Sequence, residues 1–214
     1  MEKSKIAAIR KDYLNGVLEI EAVHPDPIEQ FKIWLHDAVS AGIDEPTAMF
    51  LATTGADLQP SARIVLLKGV DEKGFDFYTS YQSRKGRQIG ENPLVAATFF
   101  WKELERQVRI EGIVEKLTDA ESDEYFRSRP AESRFSAAVS PQSQVIPGRN
   151  YLEEKINILK TKYAADELQR PDSWGGYKLK PSRIEFWQGR ENRLHDRLVY
   201  SFLAGEWNIA RLAP

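Results

Sequence analysis

The first forty residues carry their pattern at helical spacing. Ile6, Ile9, Arg10 and Tyr13 recur on one face, and Asn15-Gly16 ends the run. A second helix is predicted from Asp26-Pro27-Ile28-Glu29, with the carboxylate as N-cap, proline at the first helical position and glutamate two residues on. Its apolar face is Phe31, Trp34, Leu35 and Ala38, and Gly42 stops it. From Thr47 the period shortens to that of strands: TAMFLATT, SARIVLLKGV, FDFYTS, LVAATFFW and RQVRIEGIVEKL, separated by turn signals such as TGADLQP, DEKG and WKELE. SRKGRQIGEN interrupts the series as a short helix. Thr118 and Glu121 form a capping box for a helix through Tyr125 and Phe126 that Pro130 breaks. Residues 149–165 read as a helix with Leu152, Ile156, Leu159 and Tyr163 in register, and three strands follow at about 176–188, 193–202 and 206–210. Many short, mostly antiparallel strands with helices inserted predict an α+β fold built on a closed or half-closed β-barrel. With no repeat or linker, residues 1–214 read as a single domain.

Composition narrows the function. The net charge of −2 over 214 residues gives no global field toward nucleic acid or an anionic membrane, so any anion site must be local. Basic residues fall in short clusters rather than one stripe, which argues against a nucleic-acid module. No cysteine is present, so disulfides and thiolate metal sites are excluded, and His24, His36 and His195 show no zinc spacing. No run approaches the ~20 apolar residues of a membrane span, and MEKSKIAAIRKDY lacks a signal-peptide core. A cytoplasmic protein is the expectation.

The candidate chemistry lies in small groups of cations beside hydroxyls. RIVLLK places Arg63 and Lys68 five residues apart, on opposite faces of an ideal strand, so they should serve different groups. Tyr78, Thr79, Ser83, Arg84 and Lys85 sit at a strand end leading into a helix, a donor set suited to a phosphate monoester. Tyr125 and Arg129 are four apart on one helix, with Ser133 just past Pro130. Taken alone, each group also reads as a solvated surface cluster. ENRLHDRLVY is harder to set aside. As a strand it aligns Arg193, His195 and Arg197 on one face, where same-sign neighbours repel unless an anion or an acid partner is present. Asp196 points to the other face and cannot be their direct neutraliser.

The fragments RxxLLK, YTSYQSRKG, ERQVRIEG, YFRSRP, WGGY, EFWQG, RLHDR and the terminal RLAP occur in this order from about Arg10 to Pro214. Together they resemble the pyridoxamine 5′-phosphate oxidase family. The resemblance implies an FMN-binding split barrel that works as a homodimer with FMN at the subunit interface. It implies oxidation of pyridoxamine or pyridoxine 5′-phosphate by O2 to pyridoxal 5′-phosphate and H2O2, with hydride passing from substrate C4′ to flavin N5. By the same resemblance, FMN would be held by Arg63, Ile64, Val65, Leu66, Tyr78, Thr79, Arg84, Lys85, Gln107, Gln142, Ser143, Trp187 and Arg197, some from the partner subunit. Lys68, Tyr125, Arg129 and Ser133 would grip the substrate phosphate. Arg193, Leu194 and His195 would meet the substrate ring, with Arg193 and His195 as the catalytic pair. The helical segment 1–25 would cover the site through Arg10, Lys11, Asp12 and Tyr13. Two departures stand out: Arg134-Phe135-Ser136 replaces the family's usual Gln-Ile-Gly, and Pro141 precedes Gln142. Both are expected to alter a pocket wall or loop and not the reaction class. Two other readings fit parts of the pattern: a non-catalytic pyridoxal-phosphate carrier and a different split-barrel flavin reductase.

Overall fold

The computed structural model describes Lys5, residues 12–14 and residues 16–214. Most of the helix predicted around Ile6 to Tyr13 therefore lies outside the described residues, as do Arg10 and Lys11; Asp12, Tyr13 and Leu14 have no regular structure. The described elements, in chain order, are α1 (Pro27–Ser40), β1 (Ala48–Thr54), β2 (Pro60–Leu66), β3 (Gly69–Asp71), β4 (Gly74–Ser80), α2 (Arg84–Glu91), β5 (Leu94–Trp101) and β6 (Arg106–Lys116). They continue with α3 (Asp119–Ser128), α4 (Ala131–Val139), α5 (Arg149–Lys162), β7 (Trp174–Gln188), β8 (Asp196–Leu203) and β9 (Glu206–Arg211). Hydrogen-bonded strand order is β2-β1-β5-β6-β7-β4-β3, with β8 on β7 and β9 on β8.

The chain resolves into two compact units. The first comprises the described part of Met1–Thr47 with Thr98–Ile110 and Ser182–Pro214; the second comprises Ala48–Ala97 and Glu111–Pro181. In the first unit, Asp26 caps α1 by accepting from the backbone N–H of Ile28 at 2.7 Å and of Glu29 at 3.3 Å. Glu29 does not return to the cap; it pairs with Lys32 at 2.7 Å. The buried face of α1 sets Phe31 against Phe99 and Trp34 edge-on to Phe186. The far end of β7 pairs with β8, aligning Trp187 with Arg197.

In the second unit, SARIVLLKGV does not form one strand. β2 pairs antiparallel with β1, matching Leu51 to Arg63, whereas β3 pairs with β4. The chain changes partner at Leu67-Lys68, so the single β-like run is two strands. Thr118 and Glu121 form the capping box at α3, with Thr118 Oγ1 accepting from the Glu121 N–H at 3.2 Å and Glu121 Oε2 accepting from the Thr118 N–H at 2.8 Å. Thr118→Ala removes one half of that exchange and should lower unfolding free energy by about 1 kcal/mol, read in a urea titration. Beyond Pro130 the chain re-enters a helix, α4, that the pattern did not separate. Its Phe135 packs with Phe126, Leu168 and Trp174 in the core of this unit.

The last hairpin departs most from expectation. Residues 191–193 form a 3-10 turn, Asn192 and Arg193 have φ of 54° and 62°, and β8 begins only at Asp196. Arg193 and His195 therefore do not lie on a strand face with Arg197. Breaking the strand before Asp196 separates the cations that a regular strand would have aligned.

Candidate active site

A cavity of about 290 Å³ opens in the second unit between the end of β2, the end of β4, the start of α2, the C-terminus of α3 and the start of β7. Its lining brings together ten of the residues singled out by sequence: Ile64, Val65, Leu66, Lys68, Tyr78, Thr79, Lys85, Tyr125, Arg129 and Gln142. The eleventh, Trp174, was not among them. Three of these side chains are cationic and none is acidic.

Lys85 is held in the first turn of α2, whose N-cap Ser83 accepts from the Gly86 N–H at 3.1 Å. Lys85 as a residue is 8% exposed, and its ammonium donates to Thr79 Oγ1 at 3.0 Å and Gln142 Oε1 at 3.4 Å. Burial, then repulsion from Arg63, brings its pKa down to about 8. Arg63 lies outside the lining, donating to the Leu51 carbonyl at 3.0 Å, Thr53 Oγ1 at 2.6 Å and the Ser61 hydroxyl. Its own pKa is lowered by burial and by Arg84. Arg63, Arg84 and Lys85 thus form one field of mutually repelling cations with no carboxylate among their described hydrogen-bond partners.

Across the cavity, Tyr78 and Tyr125 stack at 3.8 Å and 19°, and Trp174 continues the stack at 5.7 Å from Tyr78. Gly176, opposite Tyr78 in the β4–β7 ladder, is needed here, because a Cβ would come within 2.7 Å of the Tyr78 ring. Burial pushes the Tyr78 phenol up to about 12, so it remains a donor at neutral pH. Arg129, just past α3, lies 4.7 Å over the Trp174 ring. Its Nη1 is buried with no hydrogen-bond partner, and burial lowers its pKa. A buried guanidinium nitrogen without an acceptor costs desolvation that a bound anion would offset.

The first unit holds the other candidates. The Trp187 and His195 rings lie 4.7 Å apart, and Tyr13 packs edge-on to both at 5.6 Å. Gly189 allows that approach, since a Cβ there would fall 2.8 Å from Tyr13. The Arg190 N–H donates to His195 Nδ1 at 3.1 Å. With Nδ1 accepting, a neutral His195 carries its proton on Nε2, and burial with the Arg193 charge lowers its pKa. Arg193 is exposed, and Leu194 is 69% exposed. A cavity of about 390 Å³ beside this turn is lined by Tyr13, Val17, Arg190, Asn192 and Leu194, among others.

The charge question posed by the stripe has an internal answer. Arg197 donates twice to Glu185, at 2.9 and 3.1 Å, and once to the Ala213 carbonyl at 2.7 Å. Glu185 is buried and also meets Arg109 at 3.4 Å. Asp196 serves different arginines, Arg190 and Arg211. Sequence reasoning missed Glu185, although its spacing of two from Trp187 in RIEFWQG places both on one strand face, diagonal to Arg197. Gln107 lies on β6 in this unit. Ser133, in the first turn of α4, and Ser143, exposed with φ of 70°, are outside the 290 Å³ cavity. Gln142 folds onto its own chain's Thr79, accepting from the hydroxyl at 2.9 Å. Of the departures, Phe135 is 4% exposed in the packed cluster and Ser136 is exposed.

The fold is the split β-barrel. The chain superposes with a TM-score of 0.69 over 86% of its length on 97% of a pyridoxamine 5′-phosphate oxidase-related, FMN binding protein from Nostoc punctiforme, at 16% identity. PhzG from Burkholderia lata, solved in complex with tetrahydrophenazine-1-carboxylic acid, aligns more closely: TM-score 0.86, 31% identity, 92% of this chain and 98% of that one. Residues 35–163 match the family model described as Pyridoxamine 5′-phosphate oxidase, and residues 174–214 match that of the Pyridoxine 5′-phosphate oxidase C-terminal dimerisation region. A Pyridoxine/pyridoxamine 5′-phosphate oxidase of Salinibacter ruber is 53% identical over 99% of this chain and 100% of its own length. One of Paracidovorax citrulli is 56% identical over 99% and 94%. The chain belongs to the pyridoxamine 5′-phosphate oxidase family and is an enzyme of that oxidase class. Among the described residues no helix is long and apolar enough to cross a membrane, and no group of histidine and acidic side chains could hold a metal ion.

Proposed function

We propose that the protein oxidises pyridoxamine or pyridoxine 5′-phosphate to pyridoxal 5′-phosphate with O2 and FMN, releasing H2O2, as a homodimer of one-domain chains. The observation that carries this reading is the acid-free cavity, where three cations converge and a buried Arg129 nitrogen lacks an acceptor. Both FMN and substrate are phosphate monoesters, so two anion grips are required of a chain with net charge −2. The donor set fits FMN: Arg63, Arg84, Lys85 and Thr79 would take its phosphate, and the remaining family positions, including Gln107, Gln142, Ser143, Trp187 and Arg197, would complete its site. When bound, FMN supplies the two-electron acceptor that O2 regenerates.

The chain's own residues bind and orient. Lys68, Tyr125, Arg129 and Ser133 would hold the substrate phosphate, which fixes one end of the pyridine ring. Arg193 and Leu194 would meet the ring, and His195 would offer its Nε2–H as a donor. Tyr13, packed on Trp187 and His195, would exclude water from that face, with Arg10 to Asp12 extending the cover. Arg197, fixed by Glu185, would present a rotationally locked cation toward the flavin. The segment matched as a dimerisation region supports the homodimer.

Lys85 gives a test independent of turnover. Its ammonium is charged below about pH 8 and neutral above it, whereas a phosphate monoester is already dianionic above about pH 6. FMN binding should therefore be tightest below pH 8 and weaken above it by at most about tenfold per pH unit, with proton uptake on binding. Fluorescence titration of the apoprotein with FMN checks this. Lys85→Met should flatten the profile, and an unchanged profile in that variant would remove Lys85 from the phosphate grip.

A further inference from the structure

Arg129 is unusual in how it is held. Several other guanidiniums have carboxylate partners: Arg170 has Asp119 and Asp123, Arg197 has Glu185, and Arg106, which also lies over the Trp34 ring, has Asp37. Arg63 is held by two hydroxyls and a carbonyl. Arg129 instead lies over an aromatic face, 4.7 Å from the Trp174 centroid, and its Nη1 is left without an acceptor. A carboxylate partner would spend the guanidinium's donors and cancel its charge. A ring face attracts the cation while leaving every N–H free for another acceptor.

Trp174 is itself held by backbone hydrogen bonds and ring packing. Its backbone carbonyl accepts from Arg170 Nη1 at 2.6 Å, and its N–H donates to the Pro171 carbonyl at 2.9 Å. Phe126 meets its ring at 5.4 Å, and Phe135 packs in the same buried cluster. Trp174 also lies nearly parallel to Tyr125, at 6° and 6.3 Å, and to Tyr78, at 17° and 5.7 Å, while Tyr125 itself stacks on Tyr78 at 3.8 Å. One indole thus lies under Arg129 and backs the Tyr78–Tyr125 stack.

We propose that Trp174 is the positioning residue of the substrate-phosphate grip: its ring holds Arg129 by cation–π contact and backs the Tyr78–Tyr125 stack, so that both donors stay unspent for a phosphate monoester. This rests on the reading of the cavity as a phosphate-ester site. It also gives Phe135, the departure in the α4 segment, a place in the packing behind the grip rather than in the cavity lining.

The test measures binding of pyridoxal 5′-phosphate and of unphosphorylated pyridoxal to the FMN-loaded protein, in wild type, Trp174→Phe, Trp174→Leu and Arg129→Met. Trp174→Leu should weaken the phosphorylated ligand by about tenfold to thirtyfold and leave pyridoxal within about twofold, with Trp174→Phe between. In the Arg129→Met background, Trp174→Leu should add only the smaller part that acts through the Tyr78–Tyr125 stack. In turnover, KM should rise while kcat holds. If Trp174→Leu weakens both ligands equally, changes neither, or keeps its full effect without Arg129, Trp174 is only a core residue and the proposal fails. Should Trp174→Leu not fold, Trp174→Phe alone decides, by the same selectivity. A wild-type protein that does not distinguish the two ligands would overturn the phosphate reading itself, an outcome separate from failure of the Trp174 role.

Discussion

Replacing Arg193 with methionine lowers kcat/KM by about 10²- to 10⁴-fold, the range for loss of a positioned charged group at a reacting centre, while FMN affinity stays within about twofold. The split follows from where Arg193 sits. It closes a 3-10 turn in the left-handed region, two residues before His195, and does not line the 290 Å³ cavity. Two consecutive non-glycine residues at positive φ carry backbone strain, which persists where the surrounding structure over-determines the turn. Here the Leu194 N–H donates to the Glu191 carbonyl at 3.1 Å, and His195 Nδ1 anchors the Arg190 N–H. Arg193→Lys should recover only part of the rate, because an ammonium lacks the planar fork. Steady-state kinetics with parallel FMN titration measures both halves, and unchanged turnover in Arg193→Met would refute the assignment.

The second large effect is at Arg129. Arg129→Met should raise KM for the phosphorylated substrate about tenfold to a hundredfold, the worth of a charge-assisted hydrogen bond or two, with a smaller change in kcat. Protein stability should hold or rise slightly, because the variant removes a buried guanidinium nitrogen that has no partner in the ligand-free chain. That opposite sign for binding and stability separates a ligand-gripping cation from a structural one. A variant that loses stability and substrate affinity together would mark Arg129 as structural.

Much of this was legible in the chain because it is local. The caps at Asp26 and Thr118, the short helix after Ser83 and the strand runs from Thr47 follow from neighbouring residues alone, and all are present. What was not legible depends on partners distant in sequence. SARIVLLKGV reads as one β-like run, yet splits at Leu67-Lys68 because β2 pairs with β1 and β3 with β4. ENRLHDRLVY looks like a strand until the turn at 191–193 takes its first half out of the ladder. The three cations do not share a strand face, and for Arg197 the acid is Glu185, twelve residues earlier on the facing strand. The phosphate clusters were visible as cations beside hydroxyls, since composition shows donors. Trp174 was not, because a tryptophan that works through its ring face has no polar signature, and only the fold sets it beneath Arg129.

The most direct measurement adds pyridoxine 5′-phosphate, in air, to the purified FMN-loaded protein and follows pyridoxal 5′-phosphate and H2O2 together. The account predicts equal amounts of both, with activity abolished or much reduced when the phosphate is removed from the substrate. A protein that binds pyridoxal 5′-phosphate without forming it, or that turns over phosphorylated and unphosphorylated pyridoxine alike, would contradict the account.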